Sequence, residues 1–375
     1  MFRICIWMNM PSHYQSAFFR ALDARADVDL RVVYLHWAEP ERIKEGWSEN
    51  RKRLPNETCV DGKADVAGME AVVPDWRQRI HVLGMHFFPD LVDCFCREGV
   101  EWCHWSEVPG IRLAEALGYR MALYRFLHPV TLLSKRRDGR FIRHHALGAF
   151  GQGKLACDAF YRMGVPRARC AHLYYMPEAL EPAEPSEAIG QFARGRKVLL
   201  SVGALGHRKG IDILLKAFSR LDREDWCLVL CGLDRSEGAY PALAVKLGLQ
   251  DRVLFTGPQS SDHISEIYAA ADVFVLPSRF DGWGVVLNEA ASLGMPLVAT
   301  DLCGASHHLI EHGINGYRVR AGSVCSLADA LRHYMDEPSL VRKHGDSSRK
   351  IFEAQFTPGS NASRMVDALK RWKSV

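Results

Sequence analysis

Asp281 and Glu289 stand eight positions apart in SRFDGWGVVLNEAASLGMPLVAT, residues 278–300, directly after the apolar run ADVFVLP. Val273–Leu276 are short, apolar and partly β-branched, as in a buried parallel strand, and a helical pattern begins near Val285. The turn between them contains Gly282 and Gly284, which let the backbone come close to a ligand, and the helix start points its unpaired N–H groups at the same place. Such a place suits an anion, and a carboxylate one turn inside the helix reaches hydroxyls beside it. A second strand-to-helix turn, GALGHRKG from Gly203 to Gly210, brings Arg208 and Lys209 to a helix entrance. Backbone amides, a helix N-terminus and cations together would hold a diphosphate and stabilise it as it departs. Each element also has a plainer use: a solvated basic turn, an Asp capping an Asp-Gly turn, an exposed Glu on a helix.

Taken in order, these stretches resemble the E-x7-E region of the family 4 retaining glycosyltransferases, with Asp281 where the first Glu usually stands. The resemblance extends through Gly304-Ala305, GINGYRV and, upstream, LLSVGALGHRKGIDILLKAFSRL. It implies the GT-B fold: α/β, two Rossmann-like domains with parallel sheets facing a central cleft. It also implies that Asp281 binds a hydroxyl of the transferred sugar, Glu289 the ribose hydroxyls, and Lys209 the phosphates. Gly282, Trp283, Gly284 and Val285 would contribute mainly backbone, with Trp283 either packing or touching sugar. Family members usually carry an Arg directly after the glycine of the basic turn; here that place is Ala204, leaving Arg208 as the substitute cation.

Cys231-Gly232-Leu233 and Phe255-Thr256-Gly257 end two strands on one sheet edge, so Gly232, Leu233, Thr256 and Gly257 could wall a nucleobase, or simply end strands. In the first half, Asn9-Met-Pro-Ser12-His13-Tyr14 resembles a subgroup in which a Pro-x-Tyr loop replaces a Gly-rich one. Asn9, Ser12, His13 and Tyr14 are acceptor-side candidates, with a helix cap by Ser12 as the rival. His104 and Glu107, in CHWSE, end another strand, and the resemblance suggests a His near the donor sugar at such a place. A lone strand His is as readily structural.

These residues need positioning elements, and the chain of 375 residues, 48% hydrophobic and 25% charged, is long enough for two domains. FRICIWM, DLRVVYLHW, IHVLGM, VEWCHWSEV and CAHLYYMP read as strands of the first half, with helices at QSAFFRALDAR, FFPDLVDCFCREG and KLACDAFYRMGVP. Residues 39–68 read as a polar excursion and 111–150 as a basic, mixed region. A stretch rich in Pro, Glu and Ala separates this half, 1–178, from a second α/β series, 197–356; the linker is placed at 179–196. The last helix, about 357–375, is expected to pack back on the first domain.

No apolar run is long enough to span a bilayer and the N-terminal residues lack a cleavable-signal pattern, so a cytoplasmic protein is expected. Eleven scattered cysteines fit buried thiols better than disulfides, and a net charge of +4 does not suggest a nucleic-acid partner. The run from Ser134 to His145 is the most basic; Lys135, Arg136, Arg137, Arg140 and Arg143 could meet anionic lipid, or form a solvated face. GAFGQGKL, at 148–155, lacks the hydroxyl of a P-loop at Leu155, and Asp27-Val28-Asp29 and the two His-His pairs lack metal-site geometry.

The leading expectation is a retaining, metal-independent sugar transfer from a nucleotide-diphosphate sugar to a hydroxyl of a glycan or lipid-linked acceptor. Bacterial surface polysaccharide or lipopolysaccharide is the setting that the resemblance implies, with the protein cytoplasmic or peripheral on the inner face of the membrane. Lys209, Asp281, Glu289 and His104 would act at the reacting centre, without a further cofactor. A nucleotide-sugar epimerase on the same fold and a non-catalytic nucleotide-sugar binder are the alternatives.

Overall fold

The computed structural model describes residues 1–37, 53–62, 64–109, 129–260 and 262–374. The central parts of the 39–68 and 111–150 segments lie outside the described residues. The first half contains strands β1 (Phe2–Met8), β2 (Val28–Tyr34), β3 (Glu57–Cys59), β4 (Ile80–Leu83), β5 (Trp102–Ser106), β6 (Gly148–Gln152) and β7 (Cys170–Leu173). They form one seven-stranded parallel sheet in the order β3-β2-β1-β4-β5-β6-β7. The second half contributes β8 (Lys197–Val202), β9 (Trp226–Cys231), β10 (Val253–Gly257), β11 (Val273–Leu276), β12 (Leu297–Thr300) and β13 (Gly316–Val319). These pair in parallel as β10-β9-β8-β11-β12-β13.

Parallel strands covered on both faces must be apolar along their length. Accordingly Ile4, Cys5, Ile6 and all of Val273–Leu276 are buried. Each sheet has a switch point where neighbouring strands send their chains in opposite directions, between β1 and β4 and between β8 and β11. Loops at the C-terminal ends of such strands diverge and leave a crevice. The 9–12 loop follows β1, and the 203–210 and 277–285 turns follow β8 and β11.

Helix stops fall where the sequence predicts them. Gly99 and Gly164 adopt left-handed φ of 69° and 97° and close helices Pro89–Glu98 and Gly153–Met163. Three expectations are amended. β3 lies within the segment read as a polar excursion, because three half-buried residues suffice to pair with an edge. The basic region contains helix Pro129–His145 and the start of β6. Helix Glu187–Ala193 occupies much of the expected linker, with Ile189 and Ala193 buried in the apolar core.

Asp27 pairs with Arg25 at 2.8 Å and Asp29 with the buried Arg79 at 3.0 Å. GAFGQ is a strand, and helix Gly153–Met163 begins directly after it. All eleven cysteines are unpaired.

The last helix, Pro358–Lys373, returns to the first domain and packs against helix His13–Asp23 and β7. Its anchor is Trp372, whose Nε1 donates to the Ala168 carbonyl at 2.9 Å while its ring lies 4.7 Å from that of Phe150. Gly148 leaves room for it: a Cβ there would lie 2.6 Å from the indole. Trp372→Ala should cost about 3–5 kcal/mol, the usual range for emptying a buried aromatic site, measured from urea denaturation midpoints.

Candidate active site

A cavity of about 430 Å³ lies between the two halves. Asn9, Ser12, Tyr14, Glu107 and Tyr175 line it from the first half, and Gly203, Arg208, Lys209, Arg235, Asp281, Trp283, Gly284 and Val285 from the second. Residues from both switch points therefore share one space.

The turn after β11 is laced to the chain after β12. Asp281 N–H donates to the Leu302 carbonyl at 3.0 Å, Gly304 N–H to Asp281 at 3.1 Å and Ala305 N–H to Trp283 at 2.8 Å. Gly284 has a φ of +85°, and a Cβ there would meet Cys303 Sγ at 2.5 Å, so both shape and space require glycine. A Cβ on Gly304 would fall 2.3 Å from the Gly282 carbonyl oxygen. Gly304-Ala305 is thus the strap that holds the Asp281–Gly284 turn.

The turn after β8 is tied to the same place. Lys209 Nζ donates to Asp281 Oδ2 at 2.6 Å, and Arg208 reaches the same oxygen at 3.4 Å. Arg279 donates from its backbone to the Arg208 carbonyl at 2.8 Å and pairs bidentately with Asp212 at 2.7 and 2.8 Å. Burial alone would raise the Asp281 pKa, but the two cations outweigh it and hold the carboxyl below its usual value. Asp281, expected to meet a sugar hydroxyl, is bonded within its own domain to the expected phosphate ligand.

Glu289 lies on helix Val286–Ser292, which no side chain caps. It is half-buried and accepts a 2.7 Å hydrogen bond from the Tyr268 hydroxyl. Burial raises its pKa; the Tyr268 hydrogen bond and nearby Lys209 pull the other way without reversing the shift. It sits beside the cavity wall and is not one of the residues lining it.

Gly232, Leu233, Thr256 and Gly257 likewise fall outside the lining. Gly232 donates to the Gly257 carbonyl and Gly203 to the Cys231 carbonyl, both at 2.9 Å, which ties three strand ends together. A Cβ on Gly232 would lie 2.1 Å from the Gly203 oxygen, so its first role is close packing. Thr256 donates its hydroxyl to the Gly257 carbonyl at 3.0 Å, and Leu233 is exposed.

On the facing side, Ser12 is both helix cap and cavity wall: its Oγ accepts from Tyr14 N–H at 3.2 Å. Asn9 and Tyr14 also line the cavity. His13 starts helix His13–Asp23, but its side chain lies outside the described set.

His104, expected at the reacting centre, is not one of the residues lining the cavity. It is buried on β5, away from the cavity lining, with Nδ1 accepting from Met85 N–H at 3.3 Å and Nε2 bonded to Ser106 Oγ at 3.1 Å. Burial lowers its pKa to about 3, so it stays neutral near pH 7 and serves the packing of the first sheet. Trp283 packs as well as lining the cavity: it is buried, stacks 5.2 Å from Tyr174, and donates Nε1–H to Asn288 Oδ1 at 2.9 Å. Glu107, Tyr175 and Arg235 emerge as lining residues outside the expected set. A strand-end position was the only signal for Glu107, and nothing in the surrounding letters marks the other two.

Residues 184–351 match the family described as "Glycosyl transferases group 1". The match covers the second α/β half of the chain and shows what that half is similar to. Among curated proteins, an uncharacterized glycosyltransferase of Haemophilus influenzae is 32% identical over 159 residues, covering 42% of this chain and 44% of its own. The lipopolysaccharide core biosynthesis mannosyltransferase LpcC of Rhizobium leguminosarum bv. viciae is 30% identical over 200 residues, covering 51% and 54%. The chain spans about half the length of the curated relatives it matches. In structure it is similar to Anabaena HepE in complex with UDP, with a TM-score of 0.73 at 15% identity, covering 99% of this chain and 100% of that one. That likeness is one of fold, and the fold is GT-B.

The Lys209–Asp281 pair yields a stability prediction with a defined sign. Asp281 has a depressed folded-state pKa, so its contribution is present above the ordinary carboxylate range and fades as pH falls through the folded value. Asp281→Asn should cost about 1.5–3 kcal/mol at pH 7, the range for a charge-assisted hydrogen bond. The deficit relative to wild type should shrink as pH drops below about 4, as followed by denaturant titration across pH.

Proposed function

We propose that the protein transfers a sugar from a nucleotide-diphosphate sugar to a hydroxyl of a glycan or lipid-linked acceptor, with retention at the anomeric carbon and without a metal. The observation that carries this reading is the meeting of Lys209, Arg208 and the Gly284–Val285 turn with the Asn9–Tyr14 loop across one cavity. The donor diphosphate would replace the Asp281 carboxylate as the principal partner of Lys209. Glu289, beside the uncapped helix start, would hold the ribose. The acceptor enters along the Asn9, Ser12 and Tyr14 wall and attacks on the face from which the diphosphate leaves. The bond from the anomeric carbon to the phosphate oxygen breaks, the bond to the acceptor oxygen forms, and the acceptor proton passes to the departing phosphate. Lys209 and the backbone amides offset the charge that develops there.

UDP in the HepE structure and the mannosyltransferase relative favour a nucleoside-diphosphate hexose, and the lipopolysaccharide setting of LpcC favours a bacterial surface glycan. Lys209→Ala and Glu289→Ala should each abolish sugar transfer in an acceptor assay while leaving the circular dichroism spectrum unchanged. Full turnover by both variants would refute the assignment; an isomerised donor formed without acceptor would point to an epimerase instead. Binding without any product would point to a non-catalytic protein.

A peripheral membrane contact is part of the same proposal. On helix Pro129–His145, Arg136, Arg137, Arg140 and Arg143 are exposed, whereas Lys135 is paired with Asp138 at 3.0 Å. Exposed Phe87 and Leu133 lie on the same domain, and His86 joins its loop to that helix through Asp138 at 3.0 Å. No helix among the described residues is long and apolar enough to cross a membrane. At about 1 kcal/mol per basic residue, removing three arginines by Arg136→Ala, Arg140→Ala and Arg143→Ala should weaken binding to phosphatidylglycerol vesicles by roughly a hundredfold in a flotation assay. Binding to neutral phosphatidylcholine vesicles should not change.

A further inference from the structure

Among the described residues, two carboxylates line the cavity, Asp281 and Glu107. Asp281 Oδ2 is engaged by Lys209 and Arg208, and its short side chain keeps the group close to its own turn. Glu107 comes from the other domain and lies over that same turn: a Cβ placed on Gly282 would be 2.2 Å from its Oε2. Gly282 has an ordinary backbone φ, so what a side chain there would disturb is the placement of this carboxylate, which would have to move aside.

Glu107 is held in place by contacts that close on themselves. Its Oε1 accepts from the Tyr175 hydroxyl at 3.0 Å, and the Tyr175 carbonyl accepts from Asn288 Nδ2 at 3.4 Å. Asn288 Oδ1 in turn accepts from the indole of Trp283, the residue after Gly282, at 2.9 Å. The circuit crosses the domain boundary twice. These contacts hold the carboxylate in the cavity wall, against the neighbour of Asp281.

We propose that Glu107 is a specificity-determining contact to the transferred sugar: it accepts a hydrogen bond from a sugar hydroxyl at the Asp281–Gly282 turn, and Tyr175 is its positioning residue. This rests on the donor reading above. The side chain of a longer acid reaching across from the first domain thus supplies a contact that Asp281, shortened and bonded to Lys209, does not.

The test is calorimetric titration of the full chain with UDP, UDP-glucose, GDP and GDP-mannose. Wild type should bind one nucleotide sugar more tightly than the matching free diphosphate. Glu107→Gln should lose roughly ten- to a hundredfold in affinity for that sugar nucleotide, the range for a hydrogen bond to a charged group, with the diphosphate affinity unchanged. Tyr175→Phe should lose less in the same pattern, and serves as the second probe if Glu107→Gln does not fold. A donor lacking the recognised hydroxyl should bind wild type and Glu107→Gln equally. If Glu107→Gln binds the sugar nucleotide as wild type does, or loses sugar nucleotide and diphosphate alike, the Glu107 assignment is overturned and the donor reading stands. If wild type binds none of the four ligands, both are overturned.

Discussion

The ion pair between Lys209 and Asp281 spans the switch point of the second sheet. β8 and β11 are neighbours whose following chains diverge, and the 2.6 Å contact joins the two turns at the mouth of the crevice. Arg208 and Arg279 strengthen the same connection, one to the Asp281 carboxylate and the other through Asp212. Arg208 and Lys209 stand next to each other in the chain and share one carboxylate oxygen, so their like charges would repel without it. An internal carboxylate balances that charge and keeps the lysine aimed at the opening.

The second constraint is the joint between domains. A continuous apolar cluster runs from the first sheet through Tyr174, Trp283 and Phe356 into the second. His308 packs into it, accepting from Lys154 N–H at 2.9 Å and bonding the Tyr174 hydroxyl at 3.2 Å. Burial lowers its pKa to about 3, so it joins the domains as a neutral ring. Because Trp283 sits inside the turn that carries Asp281, the joint and the cavity share one backbone segment. The relation between the two halves is therefore set within the site, and Glu107 is brought to Gly282 by the same packing.

Much of this was legible beforehand. Apolar runs alternating with helical periodicity specify two parallel sheets, since each strand must be buried on both faces and each helix on one. Gly99 and Gly164 marked helix ends because a left-handed cap excludes most side chains. The edge strand β3 was hidden because three residues carry too little periodicity. The burial of His104 was not legible, because a strand-end histidine looks the same whether its ring faces a cleft or a core.

What the sequence determined by itself was local: which segments become strands and helices, where the glycine turns fall, and which charged residues stand at the C-terminal ends of strands. These follow from near-neighbour sterics and hydrophobic periodicity, which act along the chain. Only the tertiary structure decided that Asp281 is bonded to Lys209, 72 positions away, that His104 turns into the core, and that Glu107 closes over Gly282. Those outcomes depend on how two separately folded sheets dock, and that docking is a matter of shape and charge between surfaces that are remote in the chain.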